Sequence, residues 1–171
     1  MAIGKKIKRF IRKLRPTVIR TLVYSNTSSQ LNSILSNKTI LNTRNRKSGF
    51  SEIDLKITRN RIAFYIIENN EVAHVSWLFK KKLLAWQLGL KDQYVIGNCI
   101  TDEKYRGSGL YGLTVLNIIQ SYPNQTFVLF IEPSNASSIK GVQKIGLTLI
   151  GDYVVYRLFG VAYKIKKHDT N

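Results

Sequence analysis

Acidic residues are scarce in this sequence: 10 Asp and Glu stand against 27 Lys and Arg, a formal net charge of +17 over 171 residues. Such an imbalance says little about fold but selects anionic partners: nucleic acid, acidic lipid or phosphorylated small molecules. Cysteine is scarcer still. Cys99 stands alone, which excludes an internal disulfide. With only two, distant histidines it also excludes a structural zinc site, so no metal is expected. Both absences fit a reducing cytoplasm. No apolar run approaches the ~20 residues needed to span a bilayer. The basic start "MAIGKKIKRFIRKLRP" leads into no uninterrupted apolar stretch, so it reads as part of the mature chain and not as a signal peptide. There is no internal repeat and no low-complexity segment. What is present, 44% hydrophobic and 11% aromatic residues, suffices for one domain with its own core and rules out a disordered chain.

Residues 1–16 separate from the rest, 17–171, as a basic amphipathic helix. Ile3, Ile7, Phe10, Ile11 and Leu14 recur at helical spacing among seven Lys and Arg, and Pro16 ends the pattern. Such a segment either packs its stripe on the domain or lies on an anionic membrane surface. Nucleic acid is disfavoured as a partner, because no readout motif accompanies the charge.

Along the domain, Thr17 to Tyr24 is β-branched and predicts a first strand. Leu31, Ile34 and Leu35 suggest a short helix, and "RNRKSG" a basic loop. "RIAFYII", "ENNE" and "VAHVSWLF" have the form of a hairpin turning at Asn69-Asn70. In its second strand Ala73, Val75, Trp77 and Phe79 share one face, while Val72, His74, Ser76 and Leu78 share the less apolar one. Lys80–Lys82 reads as a solvated strand end. Then follow a strand "QYVIGNCIT", a helix from about Leu110 to Ser121 stopped by Pro123, a buried strand "TFVLFI", and a helix "SNASSIKGVQKIG" capped by Ser134 or Asn135. Final strands come from "LTLIGDYVVYRLFG" and "VAYKIKK". The order predicts an α/β (α+β) fold: a mixed sheet with helices on its faces.

The chemistry centres on "YRGSGLYG", Tyr105 to Gly112. Gly107, Gly109 and Gly112 make a G-x-G-x-x-G, the fingerprint of a dinucleotide-binding turn, and Glu132 follows where a ribose ligand would sit. Three observations oppose that reading. "TDEKYR" intervenes between strand and glycines, about a hundred residues precede the motif, and only some 40 follow Glu132. The physical content survives without it. Glycines let the backbone approach an anion, a helix beginning near Leu110 aims free N–H groups at that place, and Arg106 adds a forked cation. That is a pyrophosphate site with no ligand named.

"CITDEKYRGSGLYG" followed by "IEPSNASSIKGVQKIGL" resembles the core of the GCN5-related N-acetyltransferase (GNAT) family. That family pairs an R/Q-x-x-G-x-G/A loop with a later N-x-x-(A/S)-x…K-x-G-F segment. The resemblance covers about Gln93 to Gly151. More narrowly, "YVIGNCITDEKYRGSGLY" is similar to acetyltransferase-like proteins associated with bacterial surface-polysaccharide synthesis. The resemblance implies a mostly antiparallel sheet, splayed between the strand ending at Thr101 and the "TFVLFI" strand, with acetyl-CoA as co-substrate in the slot. It implies that backbone N–H groups of Ser108, Gly109, Leu110, Tyr111 and Gly112 hold the coenzyme A pyrophosphate. Arg106 and Gly107 open that loop. Ile100 and Thr101 would meet the pantetheine arm and acetyl carbonyl through their backbones, and Asn135 and Ser138 would line the coenzyme side. Tyr111 departs from the family, which prefers a small residue there. Val142 stands where many members carry a tyrosine as general acid.

Transfer to an amine needs a route for the amine's proton. His74 is the strand residue with a suitable ordinary pKa, against which stands a structural, partly buried role. Glu132, before Pro133, is the second candidate for reaching the slot. Asp102 and Glu103 read as fixing the loop, Glu71 as a solvated turn acid, and Cys99, Trp77 and Trp86 as core residues. The expectation is a cytoplasmic acetyl-CoA-dependent N-acetyltransferase acting on an anionic small molecule such as an amino sugar, with the basic terminus touching the inner membrane face. The alternative is an inactive module of the same fold that binds anionic membrane or nucleic acid.

Overall fold

The computed structural model describes residues 16–26, 38–42, 60–159 and 161–168. The basic segment 1–15, the helix expected around Leu31 to Leu35 and the "RNRKSG" loop lie outside these residues. The elements run β1 (Thr17–Ser25), β2 (Leu41–Asn42), β3 (Arg61–Glu68), β4 (Glu71–Phe79), α1 (Leu83–Gln87) and β5 (Tyr94–Thr101). A 3-10 turn (Glu103–Tyr105), α2 (Leu110–Gln120), β6 (Phe127–Ile131), α3 (Ala136–Lys144), β7 (Thr148–Leu158) and β8 (Val161–Lys167) complete them.

The strands form one eight-stranded sheet in the order β2-β3-β4-β5-β6-β1-β7-β8. Neighbours are antiparallel except β5 and β6, which are parallel. The expected mixed, mostly antiparallel sheet is therefore present. Period-2 alternation sorts its side chains. Tyr24, Phe64, Leu78, Ile96, Phe127 and Leu129 face one way, into a core closed by Val115, Ile118 and Ile119 of α2 and Val142 of α3. Val23, Val95 and Val128 face the other way, against Ala85 of α1. Helices thus cover both faces.

β1 is first in sequence but central in space, between β6 and β7. A forked ion pair ties it to β7. Arg20 donates from Nε to both oxygens of Asp152 at 3.1 Å and from Nη2 to Oδ2 at 2.6 Å. These bonds hold the Asp152 carboxyl below its ordinary range.

Local details differ from the sequence expectation in three places. The less apolar face of β4 is the more deeply buried: His74, Ser76 and Leu78 are all within 1% of full burial. Trp86 is not core but 63% exposed on α1. Lys82 is not a solvated strand end. Its Nζ lies 5.1 Å and 5.8 Å from the ring centroids of Phe79 and Phe130, and burial lowers its pKa.

α2 and α3 meet where the Tyr111 ring lies on Gly141. A Cβ at Gly141 would stand 2.9 Å from Cδ1 and 3.3 Å from Cε1 of that ring. Gly to Ala inside a helix ordinarily gains up to about 1 kcal/mol. Here overpacking reverses the sign, and Gly141→Ala is expected to destabilise by about 1–3 kcal/mol. Urea unfolding reads this, and in a Tyr111→Ala background the same substitution should turn stabilising. A stabilised single variant would show the contact to be slack.

Candidate functional site

β5 and β6 pair only at Tyr94, Val95 and Ile96, opposite Phe127, Val128 and Leu129. Beyond Ile96 the two strands part. On its other side β5 stays paired with β4, but irregularly: Trp77 opposes Gly97 and Val75 opposes Ile100. The extra chain forms a bulge with Asn98 at φ 52°. From Gly97 to Thr101 β5 therefore offers one backbone edge to a gap and not to a neighbouring strand, which is the slot the resemblance implies.

The chain leaving Thr101 is tightly braced. Asp102 accepts a bond from Lys104 N at 3.1 Å and donates its own N–H to Ala73 O. Tyr105 Oη donates to Glu68 O at 3.3 Å, and Ser108 Oγ to Tyr105 O at 2.5 Å. Lys104 forms an ion pair with Glu71, so that acid anchors the loop from the β3–β4 turn. Gly107 and Gly109 take φ of +79° and +77°, a left-handed conformation that only glycine adopts without cost. Nothing stands within 4 Å of where their Cβ atoms would be. Gly109 immediately precedes α2, whose first N–H groups have no partner inside the helix and point toward the loop.

These pieces border one open cleft of about 560 Å³. Ile100, Thr101, Arg106, Gly107, Gly109, Leu110, Tyr111, Gly112, Asn135 and Ser138 all line it, so the structure brings together every expected coenzyme-side residue except Ser108. Ser108 commits its hydroxyl to the loop itself. Asn135 is also structural, since its side chain accepts from Ser138 N and caps α3. That settles the choice between Ser134 and Asn135.

Sequence reasoning missed Lys140 and Lys144, which also line the cleft. Their signal was available. Ser137, Lys140, Gly141 and Lys144 follow i, i+3, i+4, i+7 spacing, one face of α3. With Arg106 they give the cleft three cations, and among the described residues no carboxylate lines it. Arg106 is turned partly aside, with Nη1 at 3.2 Å from Glu103 Oε1.

The two proton-transfer candidates do not meet there. Glu132 is exposed at the end of β6 and is not among the lining residues. Its backbone carbonyl accepts from Asn135 N. His74 is 1% exposed and has both ring nitrogens engaged: Nδ1 at 2.7 Å from Thr101 Oγ1, and Nε2 at 2.7 Å from Ser76 Oγ. Burial pushes its pKa down to about 4. A neutral ring locked between two hydroxyls has no lone pair facing the cleft. Its place is behind Thr101, bracing β5 from β4. Cys99 lines the slot half-buried, its thiol pushed up to about 11 by burial.

No protein-family model and no curated protein sequence matches the chain. Solved structures do. One from Novosphingobium aromaticivorans, described as an acetyltransferase of the GNAT family, superposes with a TM-score of 0.60 at 14% identity over 82% of this chain. A second, a GNAT-family acetyltransferase from Colwellia psychrerythraea, gives 0.53 at 14% identity over 83%. The fold is that of the GNAT acetyltransferases. At this identity the likeness is one of fold, and the match spans 64% and 56% of those two chains.

The state of His74 has a measurable consequence. Its folded pKa of about 4 lies below the ordinary 6.5, so the unfolded chain binds the proton more readily in between. The stability contribution is complete above pH 6.5 and is lost as pH falls toward 4, by roughly 2 kcal/mol at pH 5. Urea unfolding at pH 7.5 and pH 5 should show this loss, and His74→Gln should flatten it. An equal slope in both proteins would mean that His74 is already accessible to protons in the fold.

Proposed function

We propose that this protein is an acetyl-CoA-dependent N-acetyltransferase. The observation that carries the reading is the joining of three features in one cleft: a slot between parted parallel strands, a left-handed glycine loop at the start of α2, and three cations with no carboxylate. A long ligand with a peptide-like arm and a charged pyrophosphate end matches that sequence of environments. The free edge of β5 from Gly97 to Thr101 would pair the arm. The loop N–H groups would hold the pyrophosphate, with Arg106, Lys140 and Lys144 answering the phosphates.

Acetyl-CoA, when bound, supplies a thioester that an amine attacks directly. The chain contributes orientation through the β5 edge and hydrogen-bond donors where negative charge develops on the carbonyl oxygen. No lining side chain is a ready base. The amine's proton would leave through water, with His74 holding Thr101 in place. Neither His74 nor Glu132 is proposed to touch the acceptor.

For the acceptor, the surplus of positive charge favours an anionic molecule and disfavours polyamines by repulsion. A nucleotide-linked or lipid-linked amino sugar, as in surface-polysaccharide precursors, fits that charge. Among the described residues no helix is long and apolar enough to cross a membrane, and no His, Cys, Asp and Glu cluster could hold a metal. The basic segment 1–15 joins the sheet at Thr17, which pairs with Arg157. Beside it Leu158, Phe159 and Val161 are 38%, 59% and 48% exposed at the β7–β8 turn, ahead of Lys164, Lys166 and Lys167. We place peripheral contact with an anionic membrane at this end. A second reading, an inactive module, draws support from Val142, fully buried where an acid would be sought.

Thermal unfolding with acetyl-CoA, against NAD as control, tests the ligand. Saturation about 100-fold above Kd should add roughly 2.7 kcal/mol of stability. Lys140→Ala/Lys144→Ala should weaken binding about tenfold or more and reduce its salt dependence. No response to acetyl-CoA sinks the reading. Binding without transfer in a screen of amine acceptors with labelled acetyl-CoA would favour the inactive module.

The membrane contact is tested by sedimentation with anionic and neutral vesicles. The full chain should follow the anionic vesicles only. Removal of residues 1–15 should weaken the association, and equal binding by both forms would reject their role.

A further inference from the structure

We propose that Lys82 and Arg157 hold a phosphate group of the acceptor, on the face of the sheet opposite the coenzyme cleft. The role rests on the acetyltransferase reading above, and it narrows the acceptor to an amine whose other end carries a phosphate.

The sheet has two faces at the place where β5 and β6 part. The cleft with its glycine loop lies on the face that α2 and α3 cover. Lys82 lies on the other. It follows the end of β4, just before α1, and its Nζ stands beside the rings of Phe79 on β4 and Phe130 on β6. Both rings belong to the layer that packs against Ala85 of α1. Between those strands the ammonium stands over β5. A Cβ at Gly97 would be 3.6 Å from Nζ, so the charge sits above nearly bare backbone. Gly97 is also the first residue of β5 beyond its last pair with β6, at Ile96. The unpaired edge that would take the arm of the coenzyme runs from Thr101 back to Gly97, and Lys82 stands at its far end.

Nothing in the fold neutralises this charge. Among the described residues no carboxylate pairs with Lys82 or Arg157. Glu132, the acid just after β6, is exposed and forms an ion pair with neither. A second cation stands near instead. Burial lowers the Lys82 pKa first, and the charge of Arg157 on β7 lowers it further, with Cys99 acting the other way. Two half-buried cations that repel each other cost the fold stability. The ring faces offset part of that cost, and they do so without occupying the N–H donors of the ammonium.

Those donors, with the fork of a guanidinium, are the groups that bind phosphate oxygens, and two cations match the double charge of a phosphate monoester. An acceptor held there would meet the slot from the α1 face, while the coenzyme enters it from the other. Donor and acceptor phosphates would then rest on separate cations: Arg106, Lys140 and Lys144 for one, Lys82 and Arg157 for the other.

Filling the coenzyme site first isolates this one. Wild type and Lys82→Met are saturated with coenzyme A, and thermal unfolding is followed against inorganic phosphate, with sodium chloride at equal ionic strength as control. Wild type should gain stability from phosphate beyond the effect of salt. Lys82→Met keeps the packing against the rings and removes the charge. It should lose that gain, and without phosphate it should be the more stable protein. 2-Aminoethyl phosphate and ethanolamine share an amine and differ only in the phosphate. By calorimetry the first should bind the wild-type complex about tenfold or more tightly than the second, and Lys82→Met should abolish the difference.

Equal responses of the two proteins, or a wild type that gains no more from phosphate than from salt, would overturn this role and leave the coenzyme reading standing. Phosphate binding without preference for the phosphorylated amine would overturn the acceptor assignment. Failure of wild type to bind coenzyme A would overturn the ligand reading and this role with it. If Lys82→Met does not fold, Arg157→Gln replaces it, with the same loss of the phosphate response expected and an unchanged response again overturning the role.

Discussion

The parting of β5 from β6 after Ile96 is the constraint on which the rest of the site depends. A parallel pair that continued would satisfy the backbone of Gly97 to Thr101 and leave nothing for a ligand. Keeping that stretch extended without its second neighbour requires support from elsewhere. β4 supplies it, through the pairs at Val75 and His74 and through the His74 side chain, which holds Thr101 and Ser76 at 2.7 Å. Burying a polar ring is costly unless both nitrogens are matched, and here both are. The histidine whose ordinary pKa suits it to proton transfer is better understood as the brace that keeps an unpaired strand edge in place.

From that edge the chain must turn at once into a helix that presents its N-terminus. Asp102, Tyr105 and Ser108 fold the connection onto itself, and Glu71 and Glu68 anchor it to the β3–β4 turn. Gly107 and Gly109 then reverse the backbone through left-handed conformations. The acids near the loop are consumed in this scaffold, which explains why the charged residues that line the cleft beside Asp102 and Glu103 are, among the described residues, all cations.

Much of this was legible because local signals agreed. Asn69 and Asn70 do adopt positive φ between β3 and β4, and the helix limits follow from Gly109 and Asn135 within a residue. Two kinds of information were not. β1 pairs with strands more than a hundred positions away, and no local periodicity encodes partner choice. The burial of β4 also inverted its apparent polarity, because His74 and Ser76 satisfy each other and so enter the interior at little cost. Lys140 and Lys144 were overlooked for a simpler reason: at helical spacing they look like an ordinary solvated face until Tyr111 and the loop are seen opposite them.

The net charge of +17 and the three cations of the cleft act on an anion in different ways. At physiological ionic strength charges beyond about 8 Å are largely screened, so the distant lysines steer an anion toward the protein but add little to how tightly the cleft holds it. On the proposed coenzyme reading, affinity would come from Arg106, Lys140, Lys144 and the α2 N-terminus, which border one partly enclosed space. Specificity among anions then cannot come from charge, since every phosphate satisfies it. On the same reading it would come from a directional, uncharged part of the cleft, the edge from Gly97 to Thr101 that β6 leaves unpaired, which suits a ligand able to lie between strands and exchange backbone-like hydrogen bonds.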